Sequence, residues 1–306
     1  MTDKKVSVII PTYKRPVYLS RAIESVLAST WKNVEIIVVD DNDEGDEYRK
    51  ETELLMKKYS SQDNIIYEKH KQNKNGSAAR NTGIRRSTGD YLMFLDDDDE
   101  FLPGKIEAQV RYLETHDAEW GACYTRYLDV KNGKISAHST ERQEGNLLVN
   151  ELARNLFVHA GSNLMVRRNV VLEVGGFDES FLRNQDVEFL VRILKKYKLG
   201  FVDELGLKVH LHPRVFKVDY LDVTQQYLAR FENDINSLSK EDKEAVIRMI
   251  GLQKIRCALQ KRKFDLIKGF MKEHRVTYAQ IGRYIVHLAL RLATHRASSY
   301  PMKYLY

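Results

Sequence analysis

Four short strand-like runs separated by stretches of helical spacing constrain this chain more than any other feature of its sequence. "VSVII" (6–10), "EIIVVD" (35–40) and "YLMFL" (91–95) are almost unbroken apolar runs, as strands covered on both faces require, and "NIIYEKH" (64–70) is a further strand. Between the first two, Leu19, Ala22, Ile23, Val26 and Leu27 recur at helical spacing behind Pro16, a suitable first helical residue. Residues 46–59 read as a charged helix with an apolar stripe through Leu55 and Tyr59, and residues 77–87 as a short helix. This alternation predicts βαβ units, hence an α/β fold with a mostly parallel central sheet flanked by helices.

In such sheets ligands gather beyond the carboxyl ends of the strands, where side chains converge. The first strand delivers Pro11, Thr12 and Tyr13 to that edge, the second Asp40 and Asp41, and the fourth Asp96, Asp97, Asp98 and Asp99. Four adjacent carboxylates raise one another's pKa unless a cation compensates. Mg²⁺ or Mn²⁺ is the expected cation, because such ions take one or two protein carboxylates together with phosphate oxygens and water. A solvated acidic turn is the plain alternative, but a run placed directly behind a buried strand favours the metal.

The other polar residues near this edge each carry two readings. Asp41 can accept a hydrogen bond from a nucleobase imide or ribose hydroxyl, or serve as an Asx-turn residue. Arg80, in "NGSAARNTG", can pair with Asp41, Asp97 or a ligand phosphate, or form a surface salt bridge. Gly76 and Gly83 permit close backbone approach, but neither "GxxxxGK[ST]" nor "GxGxxG" occurs. Asp186 opens a helix over 184–197, where it can cap the helix or act as a general base kept ionised by the helix N-terminus. His210 and His212 share one face of a strand and are either structural or directed at a metal or phosphate.

Further along, residues 120–130 read as a strand, "KNGK" (131–134) as a hairpin turn, 146–157 as a helix and 162–168 as another strand. A short helix within 170–181 ends at Gly175-Gly176. From about residue 218 the pattern becomes helical, so two regions are expected, 1–217 and 218–306.

The motifs "VSVIIPTYKR", "EIIVVDDND", "NGSAARNTGIRRSTGDYLMFLDDDDEFLP", "GGFDES" and "NQDVEFLVR", in that order, resemble the inverting glycosyltransferases of family 2, over residues 4–215. The resemblance implies a GT-A fold, with a Rossmann-like nucleotide-sugar-binding half in residues 1–100 and an acceptor-side half in 101–217. It implies a metal-dependent enzyme, using Mn²⁺ or Mg²⁺. Such an enzyme moves a sugar from a nucleotide-diphosphate donor, a UDP-sugar above all, to a hydroxyl of a glycan or lipid-linked saccharide in cell-surface polysaccharide synthesis. Carried over by position, Pro11 and Tyr13 line the base pocket and Asp41 reads the base, while Arg80 lies near the nucleotide. Asp96 and Asp97 lie near the ribose and diphosphate, Asp98 ligates the metal, His212 stands near it, and Asp186 is the catalytic base. The chain departs from the family's pattern at Lys14, where Asn is common, at "DNDEGD", and at Gln185, where Glu often precedes the base. A sugar-phosphate nucleotidylyltransferase would need a glycine-rich signature after the first strand, which is missing. A non-catalytic nucleotide-sugar-binding subunit of an assembly complex would not need Asp98 and Asp186 together.

The net charge of +6 is unevenly spread. From residue 250 onward there are 12 Lys and Arg against Asp265 and Glu273, net +10, which leaves −4 for residues 1–249. The stretch 278–296 has an apolar stripe through Ile281, Tyr284, Ile285, Leu288 and Leu292, beside a cationic one through Arg283, His287 and Arg291. It reads as a helix packed on the catalytic domain or as an interfacial helix on an anionic membrane. Nucleic acid is a poor match, since no binding module accompanies the charge. No apolar run is long enough to span a membrane, the N-terminus leads into a core strand rather than a secretory signal, and Cys123 and Cys257 lack metal-ligand spacing. A cytoplasmic protein, peripheral at the inner face of the membrane, is expected.

Overall fold

In the computed structural model, which describes residues 4–212 and 220–306, the chain divides into two units. The first takes residues 4–138, 142–146 and 158–212, and the second 139–141, 147–157 and 220–306. The boundary expected between 217 and 218 lies outside the described residues.

The first unit begins with β1 (Val6–Thr12), α1 (Pro16–Leu27), β2 (Val34–Asp40), α2 (Glu47–Met56), β3 (Ile65–Lys69), α3 (Gly76–Arg86) and β4 (Tyr91–Phe94). β1 pairs in parallel with β2 on one side and β4 on the other, and β3 extends the sheet beyond β2. The winding therefore reverses between β1 and β4, and at such a switch point the flanking loops part to leave a crevice. All of β2, and all of β1 except Pro11, is buried, which accounts for their unbroken apolar runs. α1 packs through Leu19, Ala22, Ile23 and Val26. α3 sits so close to β1 that a Cβ on Gly83 would fall 2.3 Å from Cγ2 of Ile9.

The chain continues through β5 (Glu100–Phe101), α4 (Lys105–Thr115), β6 (Trp120–Lys131) and β7 (Lys134–Ser139). It leaves the unit for α5 (Leu148–Leu152), then returns with α6 (Ala160–Asn163), β8 (Met165–Arg167), α7 (Arg168–Glu173), α8 (Gln185–Leu194) and β9 (Lys198–Leu211). β8 runs antiparallel to both β4 and β6. β9 lies parallel to β6, and β5 antiparallel to β9. The sheet is thus parallel through its first four strands and mixed beyond them. The β6–β7 hairpin turns at Asn132 and Gly133, both left-handed (φ 51° and 75°). The strand expected over 162–168 begins only at Met165, because Asn163 is drawn into a helical turn. Its Nδ2 donates to the Thr125 and Val158 carbonyls at 2.7 and 2.8 Å. The helix expected over 146–157 shortens to α5.

The second unit is helical: α5 with α9 (Tyr220–Arg230), α10 (Glu232–Asn236), α11 (Lys240–Gln260), α12 (Asp265–Glu273) and α13 (Tyr278–Thr294), and the two-residue strand β10 (Arg296–Ala297). α11 supplies the largest share of its core, burying Ala245, Val246, Met249, Ile250, Leu252 and Ile255. Gln253 donates to the carbonyls of Ala153 and Arg154 at 3.1 Å, and Asn155 exchanges hydrogen bonds with the backbone of Tyr300. α13 starts with a capping box between Thr277 and Gln280.

Candidate active site

At the β1–β4 switch point the acidic run turns back across the end of β1. Thr12, the last residue of that strand, donates from Oγ1 to Asp97 Oδ2 at 2.8 Å. Arg15 Nη1 lies 2.6 Å from Asp98 Oδ2 and 3.4 Å from Asp97 Oδ1. Arg21 of α1 donates to the Asp98 carbonyl at 2.6 Å, and Arg80 of α3 places Nη2 2.5 Å from Asp96 Oδ1. Three guanidinium groups therefore hold together a run whose carboxylates would otherwise repel. Sequence spacing does not single out Arg15. The signal for it is topological, since parallel neighbours β1 and β4 bring the loops that follow them face to face.

The four aspartates do different work. Asp98 is fully buried and Asp97 and Asp99 nearly so, whereas Asp96 stays partly open. Burial pushes Asp97 up to about 7 against the pull of Arg15. Burial, with the charges of Asp96 and Asp98, pushes Asp99 up to about 7 as well. Asp99 is held by Ser162 Oγ at 2.6 Å and by the backbone N–H of His210 at 3.0 Å. Oxygens of Asp96, Asp98 and Asp99 lie within 4.8 Å of one another, the one such group among the described residues arranged to hold a metal ion. Hard, converging carboxylates suit Mg²⁺ or Mn²⁺. Asp97 meets Thr12 and Arg15.

His212 stands outside this group of three carboxylates. Its ring stacks on Tyr18 with centroids 4.6 Å apart. His210 is occupied too, with Nε2 2.6 Å from Glu100 Oε1. Asp41, which the resemblance assigns to the base, is tied into the protein itself. It is 2% exposed, and its oxygens take His70 Nδ1 at 2.7 Å, Asn73 Nδ2 at 2.8 Å, and the backbone N–H groups of Lys74 and Asn75 at 2.9 and 3.0 Å. With its acceptor positions taken by the loop after β3, Asp41 is an anchor for that loop. Asn75 then caps α3, accepting from Ser77 and Ala78. Pro11 is half-buried in register with Val39, and Tyr13 stands 39% exposed at the rim with Lys14 Nζ 5.2 Å from its ring centre.

Asp186 lies in the first turn of α8, behind Asn184 in the left-handed region (φ 59°). Its neighbour Gln185 accepts from Arg80 Nη1 at 3.0 Å and donates to the Phe181 carbonyl at 2.8 Å. Arg80 therefore ties the start of α8 to Asp96. A Cβ placed on Gly161 would sit 3.6 Å from Asp186 Oδ2 and 3.7 Å from Asp96 Oδ2. The two carboxylates thus face one small space that a residue without a side chain keeps open. Nothing in "HAGSN" marks Gly161 or Ser162 for this position until the topology brings α6 beside α8. His159, left-handed at φ 51°, rests edge-on against Tyr127 with Nε2 3.4 Å from Asp129 Oδ1. Burial lowers its pKa, but Asp129, Asp99 and Asp186 outweigh burial and raise it. Lys105, wholly buried, secures α6 from its other side, with Nζ 2.6 Å from Asn163 Oδ1 and 3.0 Å from Thr125 Oγ1; burial pushes it down to about 7. An acidic cluster ringed by arginines suits a cation and a polyphosphate. A carboxylate across the gap suits the removal of a proton from a hydroxyl.

Comparison with known proteins agrees with this chemistry. The family described as "Glycosyl transferase family 2" matches residues 7–175. An uncharacterized glycosyltransferase of Rickettsia typhi is 30% identical over 78% of this chain and 73% of its own length. One from Methanocaldococcus jannaschii is 29% identical over 70% and 73%. Among solved structures, S. aureus TarS 1-349 in complex with UDP-GlcNAc is similar in fold, with a TM-score of 0.65 at 17% identity over 80% of this chain and 70% of that one. The fold is the GT-A architecture expected from the motifs. The chain belongs to glycosyl transferase family 2 and is a glycosyltransferase.

Proposed function

We propose that the protein transfers a sugar from a nucleotide-diphosphate donor, a UDP-sugar by class, to a hydroxyl of a glycan or lipid-linked saccharide, with inversion at the anomeric carbon. The observation that carries this reading is the gap at Gly161, with Asp186 on one side and Asp96 of the acidic cluster on the other. The likeness in fold to TarS, solved with UDP-GlcNAc, supports the donor class. Asp96, Asp98 and Asp99 are the residues that would hold Mn²⁺ or Mg²⁺. When bound there, the ion supplies a Lewis acid that offsets charge growing on the departing diphosphate.

Arg80 and Arg15 orient the donor phosphates, and Tyr13 and Pro11 border the nucleoside. Asp186 accepts the proton of the acceptor hydroxyl as its oxygen bonds to the anomeric carbon. The bond from that carbon to the phosphate oxygen breaks, and its electron pair leaves with the nucleoside diphosphate. One displacement without a covalent intermediate inverts the centre. The acceptor side of this site is assigned to residues 101–217, as the motifs imply. Cell-surface polysaccharide synthesis at the inner face of the cytoplasmic membrane is the setting that a lipid-linked acceptor implies, and the exposed apolar face of α13 supports it.

Asp186→Asn should lower transfer by about 10²–10⁴, the usual contribution of a general base. Calorimetric donor binding should change by no more than about twofold, because the substitution keeps the side chain's shape and Asp186 meets the acceptor hydroxyl rather than the donor. Donor binding lost in step with turnover would assign Asp186 to substrate holding instead.

A further inference from the structure

α13 is apolar on the side where a water-soluble helix is polar. Its one buried residue is Tyr284. Five large apolar side chains face solvent: Tyr278 (70% exposed), Ile285 (46%), Val286 (58%), Leu290 (58%) and Leu292 (78%). Intervals of four, seven and eight gather them on one side of the helix, and the positions between them there are alanine or glycine. The polar side chains turn elsewhere. The Arg291 guanidinium lies 4.2 Å over the ring of Phe157, and His287 meets Tyr300 edge-on at 5.3 Å. A continuous apolar face of this size marks a surface that something covers.

Charge decides what covers it. Residues 274–306 contain no Asp or Glu but carry Arg275, Arg283, Arg291, Arg296 and Lys303. A second copy packed on α13 would bring two such cationic segments together, whereas an anionic bilayer complements them. The helix has 17 residues, and no helix among the described residues is long and apolar enough to cross a membrane. We infer that α13 lies in the plane of an anionic lipid bilayer, its Tyr278–Leu292 face at the boundary between headgroups and acyl chains and the neighbouring basic residues at the lipid phosphates. The inference deepens the proposed function, resting on it for the lipid-linked acceptor that gives the contact its purpose. The contact itself is measurable without turnover.

The experiment is co-sedimentation of the full chain with vesicles of equal parts phosphatidylglycerol and phosphatidylcholine, and with phosphatidylcholine alone. The wild type should sediment with the anionic vesicles and only weakly with the neutral ones. Ile285→Glu combined with Leu290→Glu should lower partitioning about tenfold, since each places a charge at the acyl boundary. Circular dichroism checks that the variant is folded, and Leu292→Glu, at the most exposed position, provides an independent second variant. Donor hydrolysis without vesicles should be unchanged in both. Absence of wild-type sedimentation, equal sedimentation of the variants, or a wild-type dimer that the same substitutions dissociate would overturn the inference. Sedimentation that persists in a protein unable to turn over any nucleotide sugar would support the bilayer contact while removing the proposed function.

Discussion

A single missing side chain shapes the reactive space. The Cβ position of Gly161 is in ordinary van der Waals reach of Asp186 and Asp96, so Gly161→Ala should fold and retain part of the activity. Gly161→Val adds two methyl groups directed at the gap. We expect it to lower transfer at least about 100-fold, a loss typical of misplacing reacting groups by an ångström, with an unchanged unfolding midpoint in urea. A fall in stability as large as the fall in rate would show that Gly161 serves packing instead. Asp98, Asp186 and Arg80 can be picked out from sequence because their residue types announce chemistry at predictable strand and helix ends. Gly161, Ser162 and Arg15 cannot, since their importance comes from which loops become neighbours.

At the scale of elements, β1, β2 and β4 are legible in sequence because burial on both faces suppresses alternation, and burial is what the sheet imposes. The region from 146 to 168 is harder, as its short helices answer to hydrogen bonds made by Asn163 and Ser162 rather than to periodicity. α13 shows the limit from the other direction. Its amphipathic period is plain, but the period alone does not say that the apolar side faces outward. The seat of α3 on β1 depends on Gly83. Gly83→Ala should cost about 1–3 kcal/mol, as overpacking does, because its new methyl would meet Ile9 at 2.3 Å. Urea titration measures this, and in an Ile9→Ala background, which removes Cγ1 and Cγ2, the added cost of Gly83→Ala should be smaller.

At the scale of the molecule, charge is partitioned: residues 1–249 carry −4, while residues from 250 onward carry +10. The acidic part includes a cluster whose burial already strains its ionisation at Asp97 and Asp99. Saturating Mn²⁺ should therefore stabilise the folded chain, by about 2.7 kcal/mol at a hundredfold excess over Kd, read as a thermal shift. Asp98→Asn should remove most of that shift, and an unchanged shift would move the ion elsewhere. The anchoring of the 70–75 loop by Asp41 has a consequence for protein engineering. His70, Asn73 and the two backbone N–H groups behind them meet one carboxylate that is almost sealed from water. Grafting that loop from a relative to change donor preference would strand the carboxylate unless its receptor in "VVDDND" travels with it. The transplantable cassette is thus two segments, some thirty residues apart in sequence, joined by one aspartate.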